Sequence, residues 1–421
     1  MGDRTMLGPA DVPDTVLAAY AAAALGLDRS SWELVGSRVE VVDYDLDAIT
    51  TAGRWWVTAD LSTPEGPQAV RFFVKLVQDW SRSPYFASVP PELREMAQRA
   101  VPWRTEPLVY QSDLAHRLPP GLTMATVVDV RPVDDLSTAV WLQEVDVVPS
   151  GWPTAEVTRA ARLLGRLAAS PHVRPLAAIG ESDGRRSVRS YAEGRLATQV
   201  APMLRADELW RHPVLAATFS PSLRGRLLAE LDRVGEHVDW LEGVPEGTAH
   251  GDACTNNLLV QAGSDELVLI DFGFWSTQPL GFDLGQLLIG DVQLGRRPAA
   301  TLHDLEQACL PAYVAGLHDE GCEVPLPVVR RAHALQMLIY SGFSSFLLEA
   351  LLGPTGPTGP PDDGNGDRAP GSAPRSSLLE QAAERARITE FVLDLVERTE
   401  QRPRGRRGEG RDRAPHALDG S

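Results

Sequence analysis

Between Ala249 and Val260 the chain reads AHGDACTNNLLV, and from Ile270 it reads IDFGFW. A histidine, two aspartates and two asparagines thus flank two short apolar runs. The runs NLLV and DELVLI, joined by QAGSDE, have the pattern of a hairpin, which would bring Asn257 and Asp271 together. One carboxylate could take a proton from a nucleophile. A second carboxylate and an amide carbonyl supply hard oxygen ligands of the kind that Mg²⁺ prefers.

A further chemical signal is the scarcity of lysine. The chain has thirty-nine arginines and one lysine, Lys75, within RFFVKLVQ. Strand alternation would aim Lys75 to one face, and an ammonium is a compact point charge that a planar guanidinium does not imitate. Phosphoryl transfer needs a cation on the phosphates, an acid to orient it, metal ligands and a base. Lys75 is the candidate cation and Asp252 the candidate base, with Asn257 and Asp271 as metal ligands. The orienting acid is expected at Glu106, in WRTEPLVYQ. Glu92 and Glu95 compete with it because Pro107 disturbs the local helical register.

These residues need two kinds of scaffold. After a short helical stretch, DTVLAAYAAAALGL, come three β-like segments: SRVEVVDYDL, RWWVTADLST and QAVRFFVKLVQ. The last two are separated by PEGP, a turn signal. Helical character follows from Pro91 to Leu118, then a strand pair, TMATVVDVRPV and TAVWLQEVDVV. After PSGWP the pattern becomes helical, with Thr154 as an expected N-cap, and it remains so except at the hairpin. This order predicts an α+β fold with a β-rich region followed by a larger helical one. Residues 353–377 are rich in Pro and Gly and read as a disordered loop. Residues 378–400 read as a helix docking on the second region, and 401–421 as a mobile tail with six arginines and three acids.

HGDACTNN matches the pattern H-x-D-x-x-x-x-N, and IDFG matches a D-F-G-like metal-binding motif. With a strand lysine upstream, the chain resembles the aminoglycoside phosphotransferase and choline kinase family, which has a bilobal, protein-kinase-like fold. The resemblance covers about Val41 to Gly353 and the late helix. It implies a β-rich nucleotide-binding lobe at 1–145 and a helical lobe with the catalytic and metal-binding loops at 146–352. It implies ATP and Mg²⁺ as cofactors and a small-molecule hydroxyl as acceptor. Asp252 would act on the acceptor proton, Asn257 and Asp271 would bind Mg²⁺, and Lys75, paired with Glu106, would hold phosphates. His250 would buttress the loop, Asp283 would tie it down, and backbone groups of Glu144, Val145 and Asp146 would read the adenine edge.

The sequence departs from protein kinases in the first hairpin, where DYDLDAITTAGRWW has one glycine, Gly53, and no G-x-G-x-x-G. Asn256 and Asn257 are adjacent, and the spacing from Asp252 selects Asn257. Asp283, Asp291, Asp304 and Glu306 are acids that could meet a cationic amine on the acceptor. A serine or threonine kinase acting on peptides and a non-catalytic nucleotide-binding module are the alternative readings. The net charge of −17 argues against general affinity for nucleic acid or anionic membrane. No stretch is long and apolar enough to span a bilayer. Cys254, Cys309 and Cys322 lack metal-ligand spacing and are expected as free thiols in the cytoplasm.

Overall fold

The computed structural model describes residues 4–27, 32–42, 49–148, 151–181, 186–346 and 377–400. The Pro/Gly-rich stretch up to residue 376, the tail at 401–421 and part of the first hairpin loop lie outside them.

The amino-terminal lobe begins with helix α1 (Asp14–Ala24) and strands β1 (Glu33–Val41), β2 (Thr51–Thr63) and β3 (Gly66–Gln78). Pro64 and Glu65 alone separate the paired residues Thr63 and Gly66, so PEGP is the hairpin turn. That turn sets the register of β2 on β3. Alternate residues then divide between two faces. Trp55, Val57, Ala59 and Leu61 of β2, with Val70, Phe72, Val74 and Leu76 of β3, are buried against Leu17 and Ala21 of α1. Arg54, Trp56, Arg71, Phe73 and Lys75 alternate with these and belong to the opposite face.

Helices α2 (Arg94–Ala100) and α3 (Thr105–Gln111) follow, then β4 (Leu122–Met124), β5 (Val127–Asp134) and β6 (Ser137–Gln143). The five-stranded sheet has the order β1-β2-β3-β6-β5 and antiparallel pairing throughout. The stretch TMATVVDVRPV is not one strand. It breaks at Ala125, and only its second half pairs with β6. Pro132 is tolerated there because β5 is an edge strand with a register shift beside it.

The second lobe opens with α4 (Thr154–Ala169). Its N-cap is Pro153 rather than Thr154, which is the first helical residue. Proline's fixed φ suits the entry, and no side chain caps the helix. Then come α5 (Pro221–Asp232), α6 (Val234–Glu242), β7 (Glu246–Ala249), β8 (Leu258–Val260), β9 (Leu267–Leu269) and β10 (Ser276–Pro279). The expected hairpin is β8–β9, and β4 adds to it in parallel through Leu122 opposite Leu267 and Met124 opposite Leu269. Helices α7 (Phe282–Gln293), α8 (Leu302–Asp319), α9 (Leu326–Tyr340) and α10 (Leu378–Glu400) complete the lobe. The face of α10 bearing Ile388, Phe391, Val392, Leu395 and Val396 is buried in its core. Arg226 of α5 pairs with Asp394 and Glu397 of α10 at 2.7 and 2.8 Å. The fold is thus the α+β arrangement expected, an antiparallel sheet region followed by a larger helical one. No helix among the described residues is long and apolar enough to cross a membrane.

Candidate active site

Lys75 projects from β3 into the space between the lobes. Its Nζ lies 2.6 Å from Glu106 Oε2 and 3.0 Å from Asp271 Oδ1. Burial alone would lower the ammonium's pKa, but the two carboxylates more than offset this and raise it. Glu106 is 4% exposed, and burial pushes its pKa up to about 7 against the pull of Lys75. Of the three candidate acids it alone meets the lysine. Glu92 is exposed, and Glu95 is exposed and pairs with Arg99 on its own helix. Pro107 does not break α3, because the helix starts at Thr105 and the proline sits in the first turn. An N–H there would lack a helical partner anyway.

Asp271 follows β9 in a left-handed backbone conformation, φ 60° and ψ 65°. Such a conformation is uncommon for a non-glycine residue and clusters at functional sites. Burial raises its pKa, but Lys75 draws the net shift below the usual carboxylate value. Asn257 Nδ2 donates to the Asp252 carboxylate and to the Asp252 carbonyl, each at 2.9 Å. These bonds use the amide's donors on Asp252 and leave its carbonyl oxygen to accept from or ligate another group. Burial, reinforced by the charge of Asp271, raises Asp252 to about 6.

The loop carrying Asp252 is fixed from below. Asp283, buried in the first turn of α7, accepts from the His250 and Gly251 amides at 2.9 Å each. It does not cap α7, a position held by Gly281. His250 Nε2 donates to the Ile270 carbonyl at 2.9 Å, and the Asp252 amide points to its Nδ1 at 3.4 Å. That pattern is a neutral imidazole joining the two motif loops. Burial depresses its pKa to about 4. Gly251 has φ 86°, and a Cβ there would stand 1.9 Å from the Phe274 carbonyl oxygen. Only glycine fits the crossing of the two loops.

Of the backbone groups expected to meet adenine, two are already committed. The Glu144 amide donates to the Arg71 carbonyl at 3.0 Å, and the Asp146 carbonyl accepts from Ala262 at 2.9 Å. The Glu144 carbonyl, the Asp146 amide and both backbone groups of Val145 have no backbone hydrogen bond among the described residues. Two of the acids suggested for a cationic acceptor are committed as well: Asp283 holds the loop and Asp291 accepts from Thr255 Oγ1. Glu306 is buried near Arg330 and Arg398, with its Oε1 accepting no hydrogen bond. Asp304 is exposed. Beside the catalytic loop lies a cavity of about 770 Å³, bounded by Asn256, Trp152, Leu259, Arg296 and Arg297. Arg296 donates to Asn256 and Arg297 to the Trp152 carbonyl.

Two residues escaped the sequence reading. Arg186 donates to the Gly273 carbonyl at 2.6 Å and stacks on Phe274 at 4.4 Å, bracing the loop after Asp271. Nothing local marks it among so many arginines. Arg54 stands directly opposite Lys75 across the β2–β3 ladder. Counting outward from PEGP would have found it.

Residues 143–316 match the family model described as "Phosphotransferase enzyme family". The match covers less than half of the chain but contains both HGDACTNN and IDFG, so it supports the resemblance to the aminoglycoside phosphotransferase and choline kinase family. Similar solved structures include an aminoglycoside phosphotransferase from Alicyclobacillus acidocaldarius subsp. acidocaldarius DSM 446, at 15% identity and TM-score 0.49, covering 93% of this chain and 97% of that one. A microcompartment-associated aminopropanol kinase is 15% identical, with TM-score 0.44 and coverage of 91% and 97%. An ethanolamine kinase from Plasmodium vivax is 11% identical, with TM-score 0.41 and coverage of 91% and 87%. No curated protein matches the chain.

Proposed function

We propose that the chain is an ATP- and Mg²⁺-dependent phosphotransferase that phosphorylates a hydroxyl group of a small molecule in the cytoplasm. The observation that carries this reading is the junction of Lys75, Glu106 and Asp271 across the two lobes, with Asp252 and Asn257 beside it. The lobe up to residue 145 would bind nucleotide, with the free backbone groups of Glu144, Val145 and Asp146 offered to the adenine edge. The lobe after it would supply base and metal ligands.

The donor set suits Mg²⁺. The Asn257 carbonyl and the Asp271 carboxylate are hard oxygens, and the Asp271 side chain is 34% exposed. No group of three or more His, Cys, Asp or Glu among the described residues could hold a metal. A cation held by Asn257 and Asp271 would therefore take its remaining ligands from water and phosphate, as Mg²⁺ commonly does. When bound it would neutralise charge on the polyphosphate. Lys75 would hold phosphate oxygens, and Glu106 would keep the ammonium in place. Asp252, when ionised, would orient the acceptor hydroxyl and take its proton, so that catalysis rests on positioning and charge neutralisation.

The test is phosphate transfer from ATP with Mg²⁺ to a panel of aminoglycosides, other amino alcohols, sugars and hydroxy acids. Hydroxy acids are included because Arg296 and Arg297 border the cavity. Asp252→Asn is the control. Transfer to one acceptor class, absent in the control, supports the reading; transfer undiminished in the control overturns the role of Asp252.

A further inference from the structure

We infer that Arg54 is a second phosphate-binding cation, acting beside Lys75 on the polyphosphate of the nucleotide; this rests on the phosphotransferase reading above. Directly opposed residues of an antiparallel pair share one face, with Cβ atoms about 5 Å apart. Arg54 and Lys75 are such a pair. The neighbours of Arg54 and Lys75 confirm the face, since Trp55 and Val74 are buried in the core on the other side. Arg54 is only partly buried. A register shift between Thr51 and Gly53 immediately precedes Arg54, and bulges of this kind re-aim side chains next to active sites.

Two like charges at opposed positions repel unless anions lie between them. The Glu106 and Asp271 carboxylates supply some of that charge; Lys75 and, more weakly, Arg54 oppose the burial that raises Glu106 and help hold Asp271 low. Both also contact Lys75 directly. A divalent cation held by Asp271 would add to the positive charge of Lys75 and Arg54, and a triphosphate is an anionic ligand that would balance it.

The stretch 42–54 contains a single glycine, so it lacks the run of glycine amides that could close on a phosphate. A guanidinium fork offers paired donors of the same geometry from a side chain. Lys75 then serves as point charge and Arg54 as fork.

The experiment is titration calorimetry of the full chain with MgATP and with adenosine, for wild type, Arg54→Ala and Arg54→Lys. Thermal unfolding of each ligand-free protein accompanies it. Arg54→Ala is expected to weaken MgATP about ten- to hundredfold, as loss of a charge-assisted hydrogen bond does. Adenosine affinity should stay unchanged, and Arg54→Lys should fall in between. Equal MgATP affinity in wild type and Arg54→Ala overturns the inference. An equal loss for adenosine does so too, because it marks a merely structural role. If Arg54→Ala does not fold, Arg54→Lys decides: its MgATP affinity must fall while adenosine is unaffected. A wild type that binds adenosine no worse than MgATP removes the phosphotransferase reading itself, a result distinct from the others.

Discussion

Lys75 of β3 and Asp271 of the β9–β10 loop meet at 3.0 Å, and this contact joins the two lobes. The ammonium sits between Asp271 and Glu106 in a space only 5% exposed at the lysine. A guanidinium is broader and planar, so it cannot approach both carboxylates at these distances. Lys75→Arg is therefore expected to lower kcat/KM about a hundredfold while the protein still folds. Steady-state kinetics with a thermal melt checks this; wild-type rates would remove the special status of the only lysine.

Asp252→Asn keeps the shape of the loop and removes the proposed base. Turnover should fall about a thousandfold, within the usual range for a general base. MgATP affinity should change little, because Asn257 and Asp271 remain. Single-turnover rates beside calorimetry separate the two effects, and a parallel loss of both would place Asp252 in nucleotide binding instead.

Asp283→Asn leaves one acceptor oxygen for two amides. One of the His250 and Gly251 N–H groups then faces an NH₂ group in a buried setting. The expected cost is about 1–3 kcal/mol in stability, together with lower turnover. Chemical denaturation measures the first, and an unchanged midpoint would show that the loop is held by other contacts.

Gly251→Ala adds strain at φ 86° and a clash with the Phe274 carbonyl. The two loops would have to part, at a cost of about 3 kcal/mol or more. The variant should lose stability and activity together. A stable, active Gly251→Ala would mean that the loops cross less closely than the geometry indicates.

His333, buried in α9, has its pKa lowered from 6.5 to about 4 by burial. Between those values the unfolded chain binds a proton that the folded chain refuses. Its contribution to stability is therefore complete above about pH 6.5 and is lost as pH falls toward 4, amounting to about 2 kcal/mol at pH 5. His250 acts in the same direction, while Glu106 and Asp283, both raised, act in the opposite one. In urea denaturation at pH 7.5 and 5, His333→Gln should show a smaller difference between the two conditions than wild type. An unchanged difference would remove His333 from the account.

The motif pair, the β8–β9 hairpin and the β2–β3 register were legible because each depends on short-range pattern. The PEGP turn even places Arg54 beside Lys75. Glu106 is the expected acid, but Glu92 and Glu95 compete with it, since the choice depends on where α3 starts relative to Pro107. Burial decided it. The commitment of the Glu144 amide to Arg71 and the bracing of Gly273 by Arg186 depend on tertiary approach, which local periodicity does not encode. The splitting of TMATVVDVRPV is of the same kind: Leu122–Met124 found a stronger partner far along the chain.

That last pairing bears on how the protein is made. As the ribosome extends the chain, β1, β2, β3, β5 and β6 can close into a sheet soon after Gln143 emerges. The segment Leu122–Met124 cannot pair until Leu267–Leu269 has been synthesised. Until then an apolar strand edge waits exposed at the root of the first lobe, a natural place for a chaperone to hold or for a nascent chain to go astray. Because β4 and β9 pair in parallel, no local turn can bring them together, and the closing of that ladder ties a segment of the first lobe to the second.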